Sequence, residues 1–126
     1  MSCNCGGDKK LKLLYSCSGS ANAGYLADQV WRKLKESGVG AGTCLAGVGA
    51  DLSGFLASAG EAEENIIIDG CAVGCGKKIF ENRGLRYTQY LVTDYGVEKG
   101  KTEITREIID RVTGEIRERI EAPHGR

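Results

Sequence analysis

The sequence predicts an α/β domain, a three-layer αβα sandwich around a four-stranded, mainly parallel sheet. Three observations predict it. Short apolar runs of strand character alternate along the chain with longer segments of helical periodicity. The clearest run, Ile66-Ile67-Ile68, is continuously apolar and β-branched, as a parallel strand covered on both faces requires. The segments between the runs are long enough for the crossovers that parallel strands need.

Taken in order, residues 11 to 17 place Lys12 between Leu11 and the apolar run Leu13, Leu14 and Tyr15, which reads as the first strand. Ser18-Gly19-Ser20 is a turn. From Asn22 to Ser37, Ala23, Leu26, Ala27, Val30, Trp31 and Leu34 recur with helical spacing, and Gly38 ends that helix. The glycine-rich stretch Gly38 to Gly49 holds a short second strand around Ala41 to Leu45, and a second helix covers Asp51 to Ala59. Asn65 to Asp69 is the third strand. After Gly70, Cys71 to Asn82 reads as a helix closed by Gly84. Arg86 to Asp94 is the fourth strand, with Tyr87, Leu91 and Val92 packed. In the last helix, Thr102 to Ile120, apolar residues stand at Ile104, Ile108, Val112, Ile116 and Ile120, with Thr102 as its cap and Glu103 at its positive end.

Right-handed crossovers then place helices on both faces of one sheet, a Rossmann-like or flavodoxin-like arrangement with the expected strand order 2-1-3-4. Residues 1 to 10 read as a mobile N-terminal arm, 11 to 121 as a single domain and 122 to 126 as a disordered tail.

Composition narrows the function classes. The 126 residues carry 17 lysines and arginines against 17 acids, so no net field steers a polyanion, and aromatics at 6% leave little for stacking bases. No nucleic-acid partner is expected. No apolar stretch has signal-peptide or membrane-spanning length, so no membrane association and a cytoplasmic location are expected. Cytoplasmic thiols are kept reduced, and the six cysteines therefore read as ligands or reactive groups rather than as disulfides.

Four cysteines fall where the predicted fold converges. Cys17 ends the first strand, Cys44 lies at or just after the end of the second, Cys71 follows the third after one glycine, and Cys75 lies four residues further on. Strand C-termini of an open parallel sheet share one edge, where ligand sites form. On a continuous helix Cys71 and Cys75 share one face, with Cys71 near a helix N-terminus whose dipole favours a thiolate. Zinc takes four tetrahedral ligands, cysteinates at about 2.3 Å, and Cys17, Cys44, Cys71 and Cys75 supply that number. Asp69 is placed to orient a ligand or to hold the turn by accepting hydrogen bonds from backbone amides. Cys3 and Cys5 form a C-x-C pair that offers additional soft-metal ligands.

The same thiols also suit a thiol–disulfide redox enzyme, using Cys71 with Cys75 or Cys17, or an iron–sulfur protein. Other chemistries are poorly supported. Cys71 to Lys78 approaches a phosphate-binding loop, but Cys71 replaces its first glycine and Lys78 its magnesium-binding hydroxyl. No G-x-G-x-x-G is present, no arginine stands six residues after Cys17 or Cys71, and His124 lies in the tail.

These motifs resemble the DGC-domain family, named for an Asp-Gly-Cys triplet, here Asp69, Gly70 and Cys71. Cys17-Ser18-Gly19, Cys44-Leu45-Ala46-Gly47 and Thr93-Asp94-Tyr95-Gly96 match its other motifs in order, over roughly residues 11 to 113. The resemblance implies a zinc-binding protein with the four core cysteines as ligands, and implies no particular reaction. Cys3 and Cys5 lie outside its core pattern.

Overall fold

A computed structural model describes residues 11–122 of the chain, so the arm with Cys3 and Cys5, and the tail from Pro123 with His124, lie outside the described residues. The first strand is β1 (Lys12–Ser16), followed by helix α1 (Asn22–Glu36), strand β2 (Ala41–Gly42) and helices α2 (Leu45–Gly49) and α3 (Ser53–Glu61). Then come β3 (Glu64–Asp69), α4 (Cys75–Asn82), β4 (Thr88–Leu91), a 3-10 turn (Val92–Tyr95) and α5 (Arg106–Glu121). The four strands are all parallel, in the order β2-β1-β3-β4 that the sequence predicts.

Alternation along the strands divides the core into two layers. Leu14 of β1 with Ile66 and Ile68 of β3 face α1 and α5, where they pack with Leu26, Val30, Val112 and Ile116. Leu13 and Tyr15 with Ile67 face the other way, against Val48, Ala59 and Phe80 from α2, α3 and α4. The three isoleucines of β3 are fully buried, which is why the strand is apolar on both faces. A polar pin crosses the second layer: Tyr15 Oη donates to buried Asn65 Oδ1 at 3.0 Å, and Asn65 Nδ2 donates to the Ala59 carbonyl at 2.9 Å. The Phe80 ring stands edge-on to Tyr15 with centroids 4.9 Å apart.

Several boundaries differ from the sequence expectation. The last five residues of the glycine-rich segment fold as α2, and β2 is only two residues long at the sheet edge. β4 stops at Leu91, because Val92 turns into the 3-10 segment and buries itself against α1 and α5. The cap of α5 lies three residues later than expected, at Thr105 rather than Thr102, where the side chain accepts the Ile108 amide at 3.2 Å. At the far end of α4, Arg83 ties two helices together: its Nε donates to Asp51 Oδ1 at 2.6 Å and its Nη2 to the Gly49 carbonyl at 2.9 Å. No helix among the described residues is long and apolar enough to cross a membrane.

Candidate functional site

The site is assembled at the carboxyl end of β3. Asp69, two residues after Ile67, points to the α4 face of the sheet and is only 1% exposed. Its Oδ1 accepts the Gly76 amide at 3.0 Å, and its Oδ2 accepts the Lys77 amide at 3.1 Å and the Gln89 side-chain amide at 2.7 Å. The residue preceding α4 is Gly74, which has no side chain to cap with and adopts a left-handed φ of 65°. A carboxylate from the neighbouring strand therefore caps the helix in its place, where its charge also meets the positive helix end. Gly76 permits this closeness, because a Cβ there would sit 2.5 Å from Ile67 Cγ2 and 3.0 Å from Asp69 Oδ1. Of the two roles the sequence offers Asp69, orienting a ligand or holding the turn through backbone amides, these hydrogen bonds are of the second kind.

That cap fixes the helix start at Cys75, which corrects the expected helix from Cys71. Residues 71 to 74 form a turn closed by the Gly74 amide on the Cys71 carbonyl at 3.0 Å. Cys71 and Cys75 are thus not neighbours on one helical face, and the positive end of α4 belongs to Cys75 rather than to Cys71.

Three of the four core thiols nonetheless share one place. Cys17, Cys71 and Cys75 line a cleft of about 210 Å³, together with Asp69, Lys99 and the first turn of α1. Cys17 directly follows β1, and its half-buried Sγ accepts the Gly70 amide at 3.3 Å. Burial pushes the Cys17 thiol up, and hydrogen bonds from the Gly19 and Gly70 amides oppose that shift without cancelling it. Cys71, also half-buried, receives Lys99 Nζ at 3.4 Å from its Sγ. Cys75 is exposed at the start of α4. Cys44 precedes α2 and is exposed; the pairing of Gly42 with Leu14 puts it at the same carboxyl edge, but it does not line the cleft.

The donor set suits a soft ion such as zinc in kind, with three thiols and a carboxylate around one cleft. Its sulfurs are not drawn together in this conformation. Among the described residues, no three Cys, His, Asp or Glu side chains are grouped closely enough to hold a metal ion. Asp69 is already occupied by three donors, which leaves the thiols as the available ligands.

Comparison with known proteins matches the sequence to the DGC domain over residues 13–116, from β1 into α5. The chain belongs to the DGC-domain family. A curated member of similar sequence is the anaerobic and virulence modulator AnvM of Pseudomonas aeruginosa, 29% identical over 93 residues, which span 73% of this chain and 71% of AnvM. No solved structure gives a significant match.

The DGC triplet has a physical reading in this domain. Its aspartate caps α4 from β3, and its cysteine opens the turn that lines the cleft. Its glycine lets the end of β3 approach α1, for a Cβ on Gly70 would lie 2.9 Å from the Ala23 carbonyl carbon and the Gly24 nitrogen.

Sequence reasoning missed three residues that shape the DGC cleft. Gln89 is paired with Ile67 in register, on the same face as Asp69, and a polar residue in the middle of a strand was its only signal. Lys99 comes from a charged loop with no signal of its own. Asn22 reads as an ordinary helix-start residue, yet its side chain serves the Lys99 loop: Nδ2 donates to the Glu98 and Thr102 carbonyls at 3.1 and 2.8 Å, and Oδ1 accepts the Gly100 amide at 2.7 Å.

Proposed function

We propose that this DGC-domain protein is a thiol-based metal-binding protein, in which Cys17, Cys71 and Cys75 hold zinc at the cleft and Cys44 is the candidate fourth ligand. The observation that carries the reading is the convergence of three thiols from segments far apart in sequence onto one cleft. Each cysteine has a single side-chain torsion, so a rotamer change re-aims its sulfur about a fixed Cβ, and any further approach to a common centre comes from the backbone. When bound, zinc supplies a cross-link between β1 and the β3–α4 segment, and a Lewis acid if one coordination position stays open. The chain's own contribution is placement. Asp69 and Gln89 set the start of α4 and with it Cys75, while Gly70 brings Cys71 close to the loop of Cys17. AnvM is named as a modulator, and by extension we assign this chain a regulatory role for its thiol centre.

The test is elemental analysis of protein purified anaerobically without chelator, followed by zinc titration against a chromophoric competitor. One zinc per chain, lost in Cys17→Ser, Cys71→Ser and Cys75→Ser, is the expected result. Retention of zinc in Cys44→Ser defines a three-thiolate site with an open position, and its loss a closed four-thiolate one. A brown chromophore would replace zinc by an iron–sulfur cluster. A folded protein that neither carries nor takes up metal would overturn the reading.

A second reading, thiol–disulfide redox chemistry pairing Cys71 with Cys75 or Cys17, is favoured by the separate partners of the sulfurs: Cys17 on an amide, Cys71 on a lysine. It predicts a reversible intramolecular disulfide, identified by peptide mapping after mild oxidation, in protein free of metal.

A further inference from the structure

The geometry points to a small anionic ligand bound in the cleft at Cys71, with Lys99 as its counter-ion. The inference deepens the proposed reading by naming a ligand class. It rests on the cleft being the functional site and not on a metal being present.

Lys99 differs from its neighbours in what it faces. Lys12, Lys33 and Lys101 each lie within 4.0 Å of a carboxylate, and among the described residues Lys99 shares with Lys35, Lys77 and Lys78 the lack of one, but it alone of these lysines lines the cleft. Its ammonium is instead 3.4 Å from Cys71 Sγ. That placement is held from both sides. Asn22 bonds to the backbone of Glu98, Gly100 and Thr102, and Thr102 Oγ1 accepts the Glu98 amide at 2.8 Å. Lys99 therefore projects from a loop fixed on α1, and holding its charge near Cys71 needs little further ordering of the backbone.

The rest of the cleft leaves that charge unanswered. The one carboxylate in its lining, Asp69, is buried and accepts three hydrogen bonds from elsewhere. Besides the thiols, the rest of the lining is Ser20, glycines and the apolar Ala21, Ala23 and Val73, and the first turn of α1 carries no acidic residue. At about 210 Å³ the cleft is smaller than the pockets of roughly 300 Å³ and above that hold drug-sized molecules. Size and charge together fit an anion of a few heavy atoms.

The test compares two alkylating probes of similar size and the same leaving group, anionic iodoacetate and neutral iodoacetamide. Full-length, reduced, metal-free protein is treated with each at one pH and about 10 mM ionic strength, where screening is weak. Rates at each cysteine are read by peptide mapping. The rate ratio of the two probes at one cysteine cancels whatever fraction of that thiol is ionised, so it reports local charge alone. The expected ratio is about fivefold higher at Cys71 than at exposed Cys44, the effect of one charge about 4 Å away in water. Lys99→Met brings the Cys71 ratio down to that of Cys44, and Lys99→Arg retains it. Asn22→Ala, which frees the loop, lowers it part of the way. Equal ratios at Cys71 and Cys44 in the wild type, or a Cys71 ratio unchanged in Lys99→Met, would overturn the proposal. Zinc uptake by the same preparation separates the two readings. Zinc bound with equal ratios removes only the anion site, and a raised Cys71 ratio without zinc uptake removes only the metal.

Discussion

The buried Asp69 carboxylate accepts a 2.7 Å hydrogen bond from the Gln89 side chain, across the β3–β4 pair, while it also holds the first free amides of α4. One side chain thus joins two strands and a helix start. In Asp69→Asn a donor replaces one acceptor and faces an amide or Gln89. The expected loss is about 2–3 kcal/mol, with Gln89→Leu costing about 1–2 kcal/mol. Urea denaturation checks both, and faster exchange of the Gly76 and Lys77 amides localises the effect. Because the two residues share one network, the double variant should cost less than the sum.

Glycines of this chain divide by the space around them. Gly76→Ala places a methyl against Ile67 and Asp69, and is expected to cost about 1–3 kcal/mol. Gly114 lies inside α5, and a Cβ added there would meet nothing within 4 Å, so Gly114→Ala should stabilise by about 0.5–1 kcal/mol. Opposite shifts of the thermal midpoint are the readout.

Alkaline pH should weaken the fold through Tyr15, whose hydroxyl burial pushes up to about 12. The unfolded chain loses that proton near pH 10, its ordinary value, while the native state keeps it. Stability is therefore unaffected below about pH 10 and falls by up to roughly 2–3 kcal/mol on approaching pH 12. Burial shifts Tyr90 and Tyr95 in the same direction, so Tyr15→Phe should remove part of the slope rather than all of it. Urea midpoints measured from pH 9 upward give the comparison.

Thr105→Ala and Thr102→Ala should separate the capping of α5, which the sequence assigns to Thr102, from the bracing of the Lys99 loop. Thr105 caps α5, and its loss should cost about 1 kcal/mol. Thr102 braces the Lys99 loop through the Glu98 amide, and its loss should leave α5 intact while speeding exchange at that amide. Residue-resolved hydrogen exchange distinguishes them.

The sheet is legible in the sequence because each decision behind it is local: three isoleucines mark the central strand, and helical segments between strands leave parallel pairing as the natural outcome. The meeting of Cys17, Cys71 and Cys75 at one edge follows from that topology. The start of α4 is not legible. Its cap comes from Asp69, outside the helix and on another element, and the left-handed Gly74 hides among other glycines. For Cys44 a strand end is all that can be read, which groups it with the other thiols, whereas α2 carries it away from the cleft wall. Lys99 reaches Cys71 across 28 positions of sequence through a loop anchored by Asn22, and no spacing rule connects such residues.

Arg83 gives the two cysteine-headed helices of one face a common pivot. α2 starts just after Cys44 and α4 starts at Cys75, and both end at the same guanidinium, through Gly49 and Asp51 on one side and the α4 C-terminus on the other. They form a pair of tongs, joined at the grip with a sulfur at each tip. A ligand that bridged Cys44 and Cys75 would act on two helices whose opposite ends Arg83 already holds together, so both ends of the pair would be tied at once.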